Sequence, residues 1–316
     1  MKVLVTGGAG FIGTNVVLKL IETGHEITIL DDLSTGLRSN VPSGVTFTEG
    51  SITDSKLVNE LSSKVDSIIH LAARGSVPRS IKNPVLTYDV NVNGTLNILE
   101  AARKHHLHVI FSSSSSVYGS NTELPKREDM VLRPLTPYAA SKLSGEGLMS
   151  AYGETYDLDI TTLRFFNVFG PWQRPDHAYS AVIPKWIWRA MNNEVIEVYG
   201  DGEQTRDFTS VTTVLEVISQ ALERRLNHPY PINLAFGNRI SLNQIINILK
   251  IRFANLEVEY QGERPGDVYS SQNDPSLVKR LFSNIKHEPF EESLNRTIEW
   301  MKFDSEKIVG GPAVND

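Results

Sequence analysis

The sequence contains no cysteine, and this absence excludes several kinds of chemistry. Without a thiol among its 316 residues, the chain has no disulfide, no thiolate metal ligand and no cysteine nucleophile. Long apolar runs are also absent, since no segment approaches the roughly 20 residues that a transmembrane helix requires. Met1 leads directly into an apolar, strand-like segment, which leaves no room for a signal peptide. We therefore expect a soluble, cytoplasmic protein with no membrane partner.

The chain is also short of positive charge. Its 31 lysines and arginines are outnumbered by 37 aspartates and glutamates, and they form no basic run. Because sequence-independent binding to a nucleic-acid backbone depends on a basic surface, we expect no nucleic-acid partner. The eight histidines are scattered, apart from the neighbours His105 and His106, and no metal site is predicted. The hydrophobic fraction of 40% is that of an ordinary globular protein, and the length corresponds to about two domains.

Strand-like segments alternate with helical ones through the first half of the chain. Residues 2–6 read K-V-L-V-T, a short β-branched run that is typical of a strand buried on both faces. Such alternation predicts a parallel sheet covered by helices on both sides, and right-handed crossovers then give a doubly wound Rossmann sheet. The predicted strands are residues 2–6, 26–30, 45–48, 67–73, 108–113 and 160–165, and the predicted helices are residues 11–21, 54–64 and 84–104.

The second half of the chain is less regular and predicts a smaller, mixed domain. After Gly170 come three prolines with aromatic and basic residues between them, which marks a candidate domain boundary. A helix over residues 211–226 and a strand over residues 232–236 would return to the sheet. We therefore expect an α/β Rossmann domain of residues 1–167 and 207–237, and a C-terminal substrate domain of residues 168–206 and 238–316.

Two helix starts in the C-terminal part can be read from single residues. Ser241 and Gln244 have the spacing of a capping box, which predicts a helix over residues 242–253. Asp274 before Pro275 predicts an N-cap with proline at the first helical position.

A glycine-rich loop joins the first strand to the first helix. Gly7, Gly10 and Gly13 form the pattern G-x-x-G-x-x-G. In this setting the glycines permit a tight turn, let the backbone approach a pyrophosphate and let the helix pack closely on the sheet, while the helix N-terminus offers N–H groups to the anion. A glycine pattern alone is compatible with a plain turn. The strand before it and the helix after it favour a dinucleotide site.

Asp31 and Asp32 follow the second strand, about 20 residues beyond the glycine loop. A carboxylate at this place accepts hydrogen bonds from a ribose 2′-OH and repels a 2′-phosphate, which favours NAD over NADP. The sequence D-D-L-S-T-G also resembles a turn or a helix cap, which is the alternative interpretation. We favour the ribose role, with Asp31 ahead of Asp32.

Tyr138 and Lys142 are four residues apart and would share one face of a helix. A lysine ammonium beside a phenol favours the phenolate and lowers the pKa of the tyrosine from about 10, so the phenol can take and return a hydroxyl proton. Five consecutive serines, at positions 112–116, follow the strand at residues 109–111. Because ligands bind at the carboxyl ends of parallel strands, a serine there could hydrogen-bond the same substrate oxygen.

Seven motifs combine these features in one order along the chain. They read T-G-G-A-G-F-I-G, D-D-L-S-T-G, H-L-A-A, N-V-N-G-T-L-N, S-S-S-S-S-V-Y-G, Y-A-A-S-K and R-F-F-N-V-F-G-P. Together they resemble the extended short-chain dehydrogenase/reductases and, within that family, the nucleotide-sugar 4-epimerases. The resemblance implies a Rossmann fold, a tightly held NAD, a UDP-sugar substrate, and oxidation at C4 of the sugar followed by reduction from the other face.

The resemblance also implies roles for individual residues. Ser114 matches the family's catalytic Ser or Thr, Tyr138 the acid/base, and Lys142 the residue that tunes the tyrosine and holds the nicotinamide ribose. Further cofactor contacts are implied for Phe11, Ile12, Ser51, Ile52, Leu71, Ala72, Ala73 and Asn91. Substrate contacts are implied for Ser76, Arg79, Ser114, Asn167, Val182, Tyr199, Arg206, Arg264, Asp267 and Ser271, with the diphosphate bound by Arg206 and Arg264.

Two stretches refine the resemblance. The family often has G-D-[IV]-x-D after the third strand, whereas this chain has Ser51 in place of the first aspartate, so we expect weaker contacts to adenine. The related 4,6-dehydratases carry Thr-Asp-Glu where this chain has three serines, at positions 114–116. Water elimination needs that additional acid and base, so epimerisation is favoured over dehydration.

Ser271 bears on which sugar is bound. It falls where epimerases restricted to glucose and galactose have a bulky tyrosine, and a small residue would admit a 2-N-acetyl group. The segments at residues 76–81 and 178–186 also resemble those of UDP-N-acetylhexosamine 4-epimerases. We therefore expect interconversion of UDP-GlcNAc and UDP-GalNAc.

Other interpretations stay open at this point. UDP-glucose or UDP-uronate 4-epimerases and decarboxylases also oxidise C4, and a uronate would need a further cation, which Arg79 or Arg174 could supply. A non-catalytic NAD-binding sensor is a third alternative, although it would not need the set Ser114, Tyr138 and Lys142. The family resemblance further implies a homodimer formed through the helices at about residues 85–104 and 139–156.

Overall fold

The computed structural model describes residues 1–175, 181–262 and 269–303, and its strands form one large sheet and three two-stranded sheets. The strands are β1 (Lys2–Thr6), β2 (Glu26–Asp31), β3 (Thr46–Glu49), β4 (Ser67–His70), β5 (His108–Ser114), β6 (Ile160–Phe165), β7 (Val168–Phe169), β8 (Ile196–Tyr199), β9 (Thr205–Arg206), β10 (Thr209–Ser210), β11 (Ile232–Leu234), β12 (Ile240–Ser241) and β13 (Val258–Gln261). The helices are α1 (Phe11–Glu22), α2 (Ser55–Ser62), α3 (Val77–Lys82), α4 (Pro84–Tyr88), α5 (Gly94–His105), α6 (Pro137–Tyr156), α7 (Val182–Met191), α8 (Val211–Glu223), α9 (Leu242–Arg252), α10 (Ser276–Leu281) and α11 (Phe290–Phe303).

The large sheet is parallel throughout and has the strand order β11-β6-β5-β4-β1-β2-β3. The order reverses between β1 and β4, so the chain is doubly wound as the alternating pattern predicted. Apolar side chains of the central strands are buried in two separate clusters, one for each face; Val3 and Val5 belong to one and Leu4 to the other. This arrangement brings the loops after β1, β2, β4 and β5 together at one edge of the sheet.

The segment between β4 and β5 differs from its prediction. Strand β4 ends at His70 and not at residue 73, because the backbone after it turns over the glycine loop. The single helix predicted over residues 84–104 is instead α4, a π-helical turn and α5. Helix α3 was not predicted. Its N-cap is Ser76 and its C-cap is Asn83, and the following Pro84 lacks the N–H that would continue the helix.

The C-terminal elements follow their predictions in part. Strand β11 joins the sheet beside β6, as expected. Ser241 and Gln244 form the predicted capping box, with bonds of 3.1 and 2.7 Å. The prediction at Asp274 is wrong by one residue: Pro275 is the N-cap and α10 begins at Ser276. The Asp274 carboxylate still accepts a bond from the Ser276 N–H at 3.0 Å.

A separate apolar cluster forms the core of the smaller part of the chain. Side chains from α7, α9 and α11 pack together there with β8, which pairs with β13. Helix α10 was predicted to belong to the C-terminal substrate domain. However, Val278 in this helix and Phe282 directly after it are buried in the apolar cluster of the large sheet. The domain limits otherwise stay a prediction. None of the helices within the described residues is long and apolar enough to cross a membrane.

Candidate active site

A cleft of about 790 Å³ lies at the carboxyl edge of the large sheet, at the point where the strand order reverses. Ligands of doubly wound folds bind at such switch points. The structure brings most of the predicted cofactor and catalytic residues together here. Those that line the cleft are Gly7, Gly10, Phe11, Ile12, Gly13, Asp31, Asp32, Ser51, Ile52, Leu71, Ala72, Ala73, Ser114, Tyr138, Lys142 and Asn167.

The glycine loop fits a diphosphate. Gly7 has a positive φ of 73°, and a Cβ there would lie 2.7 Å from the backbone nitrogen of Ala72. A Cβ on Gly13 would lie 2.0 Å from the carbonyl oxygen of Gly7, so only glycine lets the helix pack this closely. A Cβ on Gly10 would meet only that same oxygen, at 3.4 Å, which leaves the space above it for a ligand. The first N–H groups of α1 have no acceptor inside the helix and are available to an anion.

Asp31 has the geometry expected of a ribose ligand. Its two carboxylate oxygens accept one backbone bond each, from the N–H groups of Ala9 and Leu33, both at 2.9 Å. Its burial raises the pKa of the carboxyl group, while these two bonds lower it. Asp32, in contrast, is exposed and bonds Ser34 in a local turn. Asp32 thus makes the local turn contacts that were the alternative interpretation, and the ribose role of Asp31 stays a prediction.

The adenine end of the cleft differs from the family pattern in the way the sequence suggested. Ser51 replaces the usual aspartate, and its hydroxyl is hydrogen-bonded to the Thr53 hydroxyl at 2.8 Å. The same oxygen accepts the Thr53 N–H at 3.2 Å. These bonds within the loop use part of the capacity of Ser51 to bind adenine.

Asn91 does not line the cleft, contrary to expectation. Its side chain is 2% exposed and lies behind the wall. Its Oδ1 accepts the Arg74 N–H at 2.7 Å, and its Nδ2 donates to the Ser141 hydroxyl at 2.9 Å. Asn91 therefore holds the segment after β4 against helix α6.

Ser114 and Tyr138 meet at the inner end of the cleft. Ser114 is the last residue of β5, and Tyr138 is the second residue of α6, a helix that Thr136 caps. The Ser114 Oγ accepts the Ser116 N–H at 3.2 Å, and both Ser114 and Tyr138 line the cleft. Burial raises the pKa of Tyr138 above its ordinary value of 10.0, and the nearby Ser114 hydroxyl opposes that rise. The pair is therefore arranged to share a proton with a substrate hydroxyl.

Lys142 has a different effect from the one predicted. We expected its ammonium to lower the pKa of Tyr138, but its Nζ donates to the Ser112 carbonyl at 2.7 Å and burial dominates at the phenol. The prediction is therefore wrong for the chain alone. Burial also lowers the pKa of Lys142 itself to about 8, against the opposing charge of Glu146. The ammonium lies about 5.1 Å above the ring of Phe111, which fixes its direction.

A second cavity, of about 300 Å³, adjoins the main cleft through Asn167 and Val168, which line both. The predicted substrate residues Val182, Tyr199 and Arg206 lie in its wall. Sequence reasoning missed Gln204, which is 7% exposed and donates to the Tyr199 carbonyl at 2.6 Å. Because the two cavities share lining residues, a ligand in one would lie beside a ligand in the other.

The other predicted substrate residues lie elsewhere. Ser271 lines neither cavity but contacts their junction, since its Oγ accepts the Asp207 N–H at 3.3 Å and the Asn167 Nδ2 at 3.5 Å. Ser76 caps α3 by accepting the Arg79 N–H at 3.3 Å, and neither residue lines a cavity. Arg264 and Asp267 lie outside the described residues.

Residues 3–235 match the NAD dependent epimerase/dehydratase family. The chain belongs to this family. The resemblance, the Rossmann fold and the NAD cofactor that the sequence predicted are thereby confirmed.

Three relatives of this family member are similar over almost their whole length. The structure of a UDP-N-acetylglucosamine 4-epimerase from Methanobrevibacter ruminantium M1, solved with UDP-N-acetylmuramic acid, has 36% identity and a TM-score of 0.90, and the match covers 96% of this chain and 98% of that one. A UDP-glucuronate 4-epimerase of Thermodesulfobacterium geofontis is 34% identical over 321 residues, 96% of this chain and 97% of the relative. A UDP-glucose 4-epimerase of Mycolicibacterium smegmatis is 32% identical over 315 residues, 97% of this chain and 100% of the relative.

Proposed function

We propose that this enzyme epimerises C4 of a UDP-sugar, and that its substrates are UDP-GlcNAc and UDP-GalNAc. The observation that carries the proposal is that Ser114, Tyr138 and Lys142 line one cleft, which adjoins a second cavity lined by Tyr199 and Arg206. The names of the relatives agree with C4 chemistry on UDP-sugars.

The proposed reaction uses the cleft residues in fixed roles. Because burial raises the pKa of Tyr138 in the chain alone, the proposal requires the positive charges of a bound nicotinamide and of Lys142 to favour the phenolate. As phenolate, Tyr138 takes the proton of the C4 hydroxyl, and Ser114 bridges the two oxygens. A bound NAD would supply the acceptor for the C4 hydride in the first half of the reaction and its donor in the second. We assign to Lys142, which lines the cleft, the role of holding the nicotinamide ribose. Arg206 and Arg264, the two arginines that the family resemblance implies, retain the diphosphate while the 4-keto sugar turns over, and Tyr138 then gives the proton back.

The preference for an N-acetylated sugar is supported by Ser271. Its small side chain lies beside Asn167, where the two cavities meet. A tyrosine at this position would extend toward the junction. The sequence of a UDP-N-acetylglucosamine 4-epimerase is also 36% identical to this one.

Turnover of three substrates, UDP-GlcNAc, UDP-glucose and UDP-glucuronate, tests the assignment. We expect purified enzyme to convert UDP-GlcNAc to UDP-GalNAc with a kcat/KM at least tenfold above that for UDP-glucose. UDP-glucuronate is included because one relative is a UDP-glucuronate 4-epimerase, although Arg79 and Arg174, the cations named for a uronate, line neither cavity. UDP-xylose as product would indicate a decarboxylase. A preference for UDP-glucose or UDP-glucuronate would reject the N-acetylhexosamine assignment.

We also propose that the enzyme acts in the cytoplasm as a homodimer. Helices α3 to α5, which pack beside α6, carry exposed apolar side chains, including Ile81 at 63% and Val85 at 79% exposure. Light scattering of the wild type and of Val85→Glu tests the dimer: a monomeric wild type would reject it.

A further inference from the structure

Arg74 is a cation in the main cleft that the mechanism does not use. It lines the cleft just after Ala73. Its Nε is fully buried without a hydrogen-bond partner. Across the described residues, no carbonyl or carboxylate accepts a hydrogen bond from its guanidinium. An unpaired buried N–H is costly, and Arg74 is half-buried and lines the cleft, so a ligand there that accepts hydrogen bonds from the guanidinium would offset this cost.

The backbone of Arg74 is fixed in position. Asn91 binds it on both sides, accepting its N–H at 2.7 Å and donating to its carbonyl at 3.4 Å. Two residues earlier, the backbone nitrogen of Ala72 packs so closely on the glycine loop that a Cβ on Gly7 would lie 2.7 Å from it. The segment that carries Arg74 therefore borders the loop where a dinucleotide's diphosphate lies.

The cleft has few positive charges that could neutralise an anionic ligand. Among the described residues that line the cleft, only Arg74 and Lys142 are cationic. The Lys142 ammonium already donates to the Ser112 carbonyl, and the Asp89 carboxylate, a candidate partner for Arg74, accepts the Asn93 Nδ2 at 3.0 Å. Arg74 is thus the cation left to neutralise an anionic ligand.

We propose that Arg74 binds the diphosphate of the NAD held in this cleft, opposite the N-terminus of α1. Arginine suits this task because its planar guanidinium can donate two parallel hydrogen bonds to phosphate oxygens. The inference goes beyond the proposed substrate, since it concerns the cofactor whatever sugar is epimerised.

The test measures cofactor retention directly. Wild type, Arg74→Gln, Arg74→Lys and the control Arg252→Gln are purified as holoenzymes. Arg252→Gln removes one positive charge, as Arg74→Gln does. Arg252 is exposed at the end of α9 and lines neither cavity, so its loss should not affect cofactor binding. The NAD content per chain, the rate of NAD release and the Kd values for NAD and for ADP-ribose are determined. ADP-ribose keeps the diphosphate and lacks the nicotinamide.

We expect Arg74→Gln to raise the Kd values for NAD and for ADP-ribose by a similar factor of about ten to a hundred, and to release NAD faster. Arg74→Lys should fall between it and the wild type, and Arg252→Gln should match the wild type. The Kd of UDP for the NAD-loaded variant should be unchanged. Unaltered NAD binding with weakened binding of the UDP-sugar would overturn the proposal in favour of a substrate anion. The proposal would also be overturned if Arg74→Gln lost affinity for NAD but not for ADP-ribose, or if it lost affinity for neither.

Discussion

Glu146 and Arg164 form a doubly hydrogen-bonded ion pair beneath the catalytic helix, with both N···O distances at 2.8 Å. The two side chains are 5% and 3% exposed, and they join α6 to strand β6. Glu146 also accepts the Ser113 hydroxyl at 2.5 Å, one residue before Ser114. Lys142, one turn earlier on α6, holds the Ser112 carbonyl. The helix that carries Tyr138 is thus bound to the end of β5 at two consecutive residues.

This pair predicts a large loss of stability when it is broken. Glu146→Leu leaves the Arg164 guanidinium buried without its carboxylate, and we expect the free energy of unfolding to fall by about 3–5 kcal/mol. Urea unfolding of the wild type and the variant measures it. The exposed Lys64, paired with Glu60, supplies the control, since Lys64→Ala should leave the midpoint nearly unchanged. A loss below about 1 kcal/mol for Glu146→Leu would contradict the expectation.

Tyr138→Phe should lower kcat by a factor of about 10²–10⁴, because the phenol that shuttles the proton is lost. NAD content and unfolding midpoint should stay close to those of the wild type. Tyr152→Phe is the matched control: it lies on the same helix but bonds Glu100 at 2.6 Å, outside the cleft. Turnover of Tyr138→Phe within threefold of the wild type would remove the assigned role.

His70 predicts a loss of stability in acid. Its ring lies between the hydroxyls of Thr6 and Thr95, at 2.8 and 3.0 Å, and burial together with the charge of Lys142 lowers its pKa to about 3. The folded chain therefore binds a proton here less readily than the unfolded chain, whose histidine titrates near 6.5. The resulting stability is present above pH 6.5 and is lost as the pH falls toward 3.

Unfolding at two pH values isolates this contribution. Between pH 7 and pH 4 the wild type should lose about 3 kcal/mol more than His70→Gln, which keeps amide groups for the threonines but has no ionisable ring. Equal losses in the two proteins would mean that His70 is protonated in the fold.

Asp31→Asn should lower the affinity for NAD by about ten- to hundredfold, because a neutral amide replaces the carboxylate that we expect to accept hydrogen bonds from the ribose hydroxyls. The discrimination against NADP should fall, since the charge that repels the 2′-phosphate is removed. Titration with both nucleotides checks this, and Asp32→Asn, in the exposed turn, is the control. Equal effects of the two substitutions would refute the division of roles.

Ser271→Tyr should selectively impair UDP-GlcNAc, because a large ring would extend toward Asn167 at the junction of the cavities. We expect kcat/KM for UDP-GlcNAc to fall at least tenfold while that for UDP-glucose changes little. Ser271→Ala is the conservative control. A parallel loss for both sugars would indicate a general disturbance instead of a narrower pocket.

Local sequence was sufficient where a single segment decides the outcome. The buried run of β1, the glycine loop and the capping box of α9 each depend on neighbouring residues, and each was predicted. The single helix predicted over residues 84–104 is interrupted by a π-helical turn. Asn91 lies in this turn and bonds Arg74 and Ser141. Such a contact joins separate segments and leaves no periodic signal.

By itself, the sequence determined that the chain folds as a doubly wound sheet and binds a dinucleotide at the carboxyl ends of its strands, since hydrophobic periodicity and glycine spacing act over short distances. The tertiary structure alone decided which groups are charged and which are paired. Burial raises the pKa of the Tyr138 phenol, the Lys142 ammonium donates to a carbonyl, and the Arg74 Nε has no hydrogen-bond acceptor within the part of the chain that the structure describes. These properties depend on desolvation and on partners distant in sequence, which only the folded chain brings together.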